Sequence, residues 1–381
     1  MKILLLNYEF SPIGGGAGKA TYNLAKELAR LGHQVEVLTS RLSGQPSKEK
    51  IEGFTIYRVV SWRKSIHDCG FRGAFSFLVF AVFRFLQLTR KNHYVVIHYF
   101  FGLPTGLLSL LPGPHRKIPY FISLRGSDVP GYDNYNKTLQ KVHRLLLPLT
   151  KKIWKDARQI VALSASLKDT ARQTAPLQTI KVIPNGVDSI FLKTAPAENN
   201  EKKSLKLISV ARLIKRKGIQ DILYAMAALR DPEISLLIVG TGNYEKQLKK
   251  LCDNLSLNES VTFYGFCHPQ KLPEIMAQND AFILTSLAES FGMAFVEAMA
   301  CGLPIIGSDI GGIPDLIGKE NGILVDPCDI KQIKASILKI KKSKQLRTQM
   351  SRANREKMIK QYSWESVTKK YISLYQGKED G

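Results

Sequence analysis

Two carboxylates eight positions apart, Glu289 and Glu297, bracket the run Glu289-Ser-Phe-Gly-Met-Ala-Phe-Val-Glu297-Ala-Met-Ala-Cys-Gly-Leu-Pro304. Carboxylates accept hydrogen bonds from hydroxyls and backbone amides donate to them, so acids flanking free amides suit a neutral polyol. A helix start would supply the amides. Ala281-Phe-Ile-Leu-Thr-Ser286 reads as a buried parallel strand, Gly292 breaks the pattern, and Met293–Cys301 follows a helical period. Glu289 then falls in the strand-to-helix loop and Glu297 roughly a turn into the helix. The amides of Phe291, Gly292 and Met293 point outward between them, and Gly292 admits close approach. The plainer reading is a strand, a turn and a helix with two incidental acids.

A second set is cationic. In Val210-Ala-Arg-Leu-Ile-Lys-Arg-Lys217-Gly-Ile a strand ends and a helix begins near Gly218. Arg212 sits at the strand's C-terminal edge and Lys217 at the helix entrance, where open α/β sheets bind ligands. Two fixed cations there can neutralise a leaving diphosphate, work a metal would otherwise do. Lys215 and Arg216 are weaker candidates, and solvated basic residues are the plainer reading. The sequence contains no Asp-x-Asp, so neither a metal nor a separate cofactor is expected.

The first strand leads into Asn7-Tyr-Glu-Phe-Ser-Pro-Ile-Gly-Gly-Gly-Ala-Gly18, where Gly15 and Gly16 let backbone approach a phosphate at a helix opening. This turn is neither a Walker A loop nor an in-register G-x-G-x-x-G fingerprint, which weakens a dehydrogenase reading. Tyr264-Gly-Phe266 ends another strand, and Gly240-Thr-Gly242 reads as a tight turn. Phe121-Ile-Ser-Leu-Arg125-Gly-Ser-Asp128 ends a strand in a polar loop. There Arg125 is always charged and cannot act as a base, and a structural Arg125–Asp128 pair is the plainer reading. Among seven histidines none shows metal-ligand spacing; His98, at the end of a strand over 94–98, is the one to watch, and His67 is read as structural or exposed like the rest. Five scattered cysteines without a C-x-x-C pair fit reduced thiols in the cytosol.

The elements that must position these residues alternate. Strands are predicted near 2–7, 34–39, 54–60, 94–98, 118–123, 158–163 and 180–183, then near 205–210, 234–239, 261–264, 280–285, 304–307 and 322–325. Helices fall between them, including 17–31, 74–90, 137–154 and 217–230. The rhythm implies an α/β fold of two doubly wound parallel sheets, and 381 residues allow two ordinary domains. Pro184-Asn-Gly-Val-Asp188 and the polar run 194–203 form the natural hinge between 1–185 and 186–361.

With these residues in place, the chain resembles the retaining GT-B glycosyltransferases of the GT4-like group, whose E-x7-E signature the Glu289–Glu297 run matches. The resemblance implies two Rossmann-like domains facing across a cleft, the first binding acceptor and the second the nucleotide sugar. It also implies a last helix, about 362–377, that packs back on the first domain. By resemblance Glu289 binds donor-sugar hydroxyls, Glu297 the ribose, the amides of Phe291, Gly292 and Met293 the sugar, and Arg212 and Lys217 the diphosphate. Gly15 and Gly16 match the glycine loop that meets donor and acceptor, and Tyr264-Gly265-Phe266 the segment whose backbone reads the base. Many relatives carry His-Gly-x-Asp where this chain has Arg125-Gly-Ser-Asp128. That departure removes a titratable group, leaving Arg125 to stabilise charge and Asp128 to orient the acceptor.

Charge bears on the partners. The balance is +23, and residues 1–185 hold 27 Lys/Arg against 10 Asp/Glu, hence +17. Such a half suits phosphorylated substrates, an anionic membrane or nucleic acid. No nucleic-acid motif or aromatic strand platform accompanies it, so nucleic acid is the weaker reading. No stretch offers eighteen uncharged apolar residues, so no spanning helix is expected. The N-terminus reads as a first core strand, not a secretory signal. The aromatic run 71–91 suits either a buried helix or one lying in a lipid interface. The expected protein is a cytoplasmic transferase, peripheral on the inner face of the membrane, moving sugar to a polysaccharide, lipid-linked or lipopolysaccharide acceptor. A GT-B sugar-nucleotide epimerase, a basic nucleic-acid-binding protein and a catalytically silent relative are the alternatives.

Overall fold

A computed structural model describes residues 1–63, 65, 69–133, 136–194 and 204–378; His67 and the polar run 195–203 lie outside the described residues. Tertiary contacts divide the chain into two units, Met1–Gly186 with Trp364–Gly381, and Val187–Ser363.

In the first unit β1 (Lys2–Leu6), α1 (Gly16–Arg30), β2 (Gln34–Arg41), β3 (Lys48–Ile51) and β4 (Phe54–Val60) precede the long helix α2 (Gly70–Lys91). Then come β5 (Val96–Phe100), β6 (Tyr120–Ser123), α3 (Lys137–Asp156), β7 (Gln159–Ala162), α4 (Ala165–Thr174) and β8 (Ile180–Val182). The strands order as β3-β4-β2-β1-β5-β6-β7-β8, all parallel except the β3–β4 edge pair. Covered faces demand apolar strands, and Ile3, Leu4, Leu5 and Leu6 are all fully buried. The polar strand β3 escaped the sequence reading because its Lys-Glu-Lys-Ile carries no apolar alternation and pairs only at the edge.

The second unit holds α5 (Ser189–Lys193), β9 (Leu205–Val210), α6 (Ile219–Leu229), β10 (Ile234–Val239), α7 (Glu245–Asn254) and β11 (Val261–Gly265). It continues with α8 (Leu272–Ala277), β12 (Ala281–Leu284), α9 (Met293–Ala300), β13 (Ile305–Ser308), α10 (Ile313–Leu316), β14 (Gly322–Val325), α11 (Ile330–Lys342) and α12 (Lys344–Lys357). Its all-parallel order is β11-β10-β9-β12-β13-β14, which reverses direction between β9 and β12. Ligands of open α/β sheets bind beyond the strand C-termini at such a reversal.

The last helix, α13 (Trp364–Gln376), belongs to the first unit, where Trp364, Val367, Tyr371, Leu374 and Tyr375 join the core under α1 and β1. A buried polar chain adds direction to this apolar seat. The strand expected at 94–98 forms two positions later, so His98 lies mid-strand and fully buried instead of at a strand end. Its Nδ1 meets Tyr375 Oη at 2.6 Å and its Nε2 meets Ser123 Oγ at 2.8 Å; Ser123 Oγ in turn meets Tyr371 Oη at 3.1 Å. Burial, with Arg125 nearby, holds the His98 pKa well below its ordinary value. Burial also lowers His33, His115 and His143.

These shifts fix the sign of an acid response. An unfolded histidine takes a proton near pH 6.5 that the folded rings refuse, so stability is lost as pH falls through that value. We expect the melting temperature to drop from about pH 7 to about pH 5, with His98→Asn flattening the slope. An unchanged slope in that variant would assign the effect to the other three rings.

Candidate active site

The helix openings are of two kinds. Ser164, Asp329 and Ser343 cap α4, α11 and α12 with side-chain oxygens. Glycines stand at the same position before α1, α6 and α9, namely Gly15, Gly218 and Gly292, and offer no side-chain cap. Their first amides are left for something else. Those of Phe291, Gly292 and Met293 bond to no protein group among the described residues.

The loops after β9 and β12 are locked together. Leu287 N–H donates to the Arg216 carbonyl at 2.7 Å, and the Thr285 hydroxyl donates to the Gly218 carbonyl at 2.8 Å. A Cβ on Gly218 would lie 1.8 Å from the Thr285 carbonyl oxygen, and its φ is +69°, so only glycine fits. Gly311 does the same from the other side: its φ is +59°, a Cβ there would lie 1.9 Å from the Glu289 carbonyl oxygen, and Gly312 N–H donates to that oxygen at 3.0 Å.

Held this way, Lys217 forms an ion pair with Glu289 across 72 positions of sequence, both side chains mostly but not fully covered. A cation and an acceptor-only carboxylate thus share one corner at the sheet's reversal, beside the three unpaired amides. Phe291 anchors this loop through its buried ring, stacked on Tyr362 at 6.3 Å. Glu297 follows one turn into α9, half-buried. Arg212 is exposed beyond β9, and the neighbouring Leu213 exchanges hydrogen bonds with Thr241 and Tyr244. The Gly240-Thr-Gly242 turn therefore supports the cationic loop. Phe266 is exposed just past β11. Sequence reasoning missed Ser209 and Ser286, whose buried hydroxyls at the ends of β9 and β12 lack a partner; the only signal was a polar pair, Thr285-Ser286, closing an apolar strand.

In the first unit Gly15 and Gly16 are exposed at the start of α1, but Gly15 N–H faces the Glu9 carboxylate at 3.4 Å. This places a hydrogen-bond acceptor beside the glycine turn, suited to hydroxyls. Arg125 and Asp128 are both buried, and their side chains do not form the structural pair of the plainer reading. Asp128 accepts from the amides of Arg125, Gly126 and Gly102 at 2.8, 3.1 and 2.7 Å, so its carboxylate shapes the loop and does not reach out to orient a ligand. Burial raises its pKa while those amides pull against the rise. Arg125 donates to Asn185 at 2.6 Å and lies over the Phe100 ring at 4.5 Å. Burial lowers the guanidinium pKa, opposed by Tyr371 and Asp128, and its Nε finds no partner.

Comparison with known proteins covers both units. The family model described as Glycosyltransferase Family 4 matches residues 14–190, and that described as Glycosyl transferases group 1 matches 192–357. The uncharacterized glycosyltransferase MJ1607 of Methanocaldococcus jannaschii is 26% identical, spanning 98% of this chain and 98% of its own. Among solved structures, sucrose-phosphate synthase from Thermosynechococcus elongatus superposes with a TM-score of 0.83 at 23% identity, covering 99% of this chain and 98% of its own. HepE of Anabaena, solved with UDP, gives 0.78 at 21% identity over 99% of this chain and all of its own.

Proposed function

The chain belongs to the GT-B glycosyltransferases, and from that premise we propose that it transfers a sugar, with retained anomeric configuration, from a nucleoside diphosphate to a glycan or lipid-linked acceptor. The observation that carries this reading is the Lys217–Glu289 pair beside the free amides of Phe291, Gly292 and Met293. An entering diphosphate competes with Glu289 for Lys217, and Arg212 is exposed nearby to share the charge. The freed Glu289 then accepts from the sugar hydroxyls while the amides donate to them. Glu297 takes the ribose, and the backbone at Phe266 meets the base. Two fixed cations stabilise the leaving diphosphate, so no metal is required.

The first unit supplies the acceptor side. Gly15, Gly16 and the Glu9 carboxylate present a polar turn to acceptor hydroxyls, and Arg125 holds a fixed positive charge where many relatives have histidine. An epimerase would need acid–base groups over the sugar, and Arg125 provides neither. We place the enzyme in the cytoplasm, on the inner face of the membrane that holds its acceptor.

HepE is solved with UDP and with UDP-glucose, so UDP-sugars lead the donor screen. We expect slow donor hydrolysis without acceptor, unchanged by EDTA, and a product anomer matching the donor by NMR. Loss of turnover on chelation would remove the metal-free assignment, and an inverted product the retaining one. Failure of every nucleotide sugar to bind by calorimetry would remove the transferase reading itself.

A further inference from the structure

We propose that the outward face of α2 docks the enzyme onto an anionic lipid surface, which deepens the membrane placement above and is independent of the donor chemistry. Helix α2 is apolar on both sides. Its inner side buries Phe77, Ala81, Phe85 and Leu88 against the sheet. Its outer side exposes Phe71, Phe75, Val79 and Phe83, four residues apart in sequence and hence one stripe. Phe75 is 67% exposed and Phe83 73%. Trp62, 64% exposed, extends the stripe by packing edge-on against Phe80 at 6.3 Å. A helix that packs one face on a core normally turns charge to water on the other. An aromatic stripe of this length is an interaction surface.

Charge selects the occupant. Within Gly70–Lys91 there is no acid, while Arg72 and Arg90 lie at either end of the exposed stripe and Lys91 follows. The turn Pro114–Lys117 packs on the same helix through His115 against Phe85 at 4.8 Å, and it exposes Arg116 and Lys117. A second copy of the chain would bring one +17 half against another, with no acid on either α2 to pair the cations. By length and composition α2 is long and apolar enough to cross a membrane, contrary to the expectation from sequence, but its inner face is committed to the sheet. Aromatic side chains flanked by cations on a helix held parallel to the surface match a bilayer interface of phosphate headgroups over acyl chains.

The probe is vesicle flotation with phosphatidylcholine alone and with added phosphatidylglycerol, at low and high salt. We expect binding to the anionic vesicles, weakened by salt, and lowered about tenfold or more by Phe75→Ser with Phe83→Ser. Of the three tryptophans only Trp62 is exposed, Trp154 and Trp364 being buried, so binding should shift the emission to the blue and Trp62→Phe should abolish that shift. The double variant should keep its melting temperature and donor hydrolysis, which separates lost docking from lost folding or lost chemistry. Equal flotation with neutral vesicles, or undiminished flotation of a folded double variant, would overturn the proposal. So would a concentration-dependent dimer that the same variant dissolves, which would make the face a contact between copies. Donor hydrolysis without vesicle binding would leave the transferase reading standing and remove this one.

Discussion

Replacing Lys217 with Ala lowers donor turnover by on the order of a hundredfold or more, the scale found when a fixed charge is removed from a developing anion. The loss should fall on kcat and kcat/KM together if Lys217 acts mainly on the leaving diphosphate in the transition state. A rise in KM alone would limit it to ground-state binding. The exposed neighbour Lys215 provides the comparison, because Lys215→Ala changes the local charge equally without touching Glu289. Glu289→Gln should also be impaired, and the double variant should lose less than the sum of the two, since the side chains share one interaction. Near-normal turnover in Lys217→Ala would remove the role.

Gly218→Ala should be nearly as damaging to donor binding, though Gly218 touches no proposed ligand. Its Cβ would overlap the Thr285 carbonyl at 1.8 Å, so the loops after β9 and β12 must separate and carry Lys217 away from Glu289. A shift of about 1 Å at such a site is enough to cost on the order of a hundredfold. Gly32→Ala is the control: φ there is +83° but no atom lies within 4 Å of a Cβ. That variant bears only the left-handed backbone cost of about 1–2 kcal/mol. Thermal melts should show Gly218→Ala as the less stable of the two, and calorimetry should show donor binding lost only there. Donor binding preserved in Gly218→Ala would mean the two loops are not what assembles the site.

Prolines, glycines and apolar runs made most of the fold legible. Parallel strands buried on both faces read as unbroken apolar segments, and helices between them repeat at three to four residues, so the two-sheet architecture follows from local pattern. The elements missed were those that local pattern does not mark. The charged edge strand β3 pairs with β4 without an apolar face, and the single turns α5 and α10 are set by Asp188 and Pro314. His98 was misplaced because a shift of two positions in a short strand leaves its alternation unchanged.

By itself the chain determined that Glu289 would stand in a loop and Glu297 on a helix, that Arg212 would follow a strand end and Lys217 precede a helix, and that glycines would leave helix starts uncapped. Each of these depends on neighbours within a few positions. Which loops meet was decided only by the strand order, because placing β9 beside β12 is what brings Lys217 to Glu289. The same holds where Asp128 turns its carboxylate into the backbone, Glu9 covers the glycine turn, and α2 leaves one aromatic face to solvent. A side chain's partner is fixed by what packs against it across the fold, and the sequence around a residue carries no record of that.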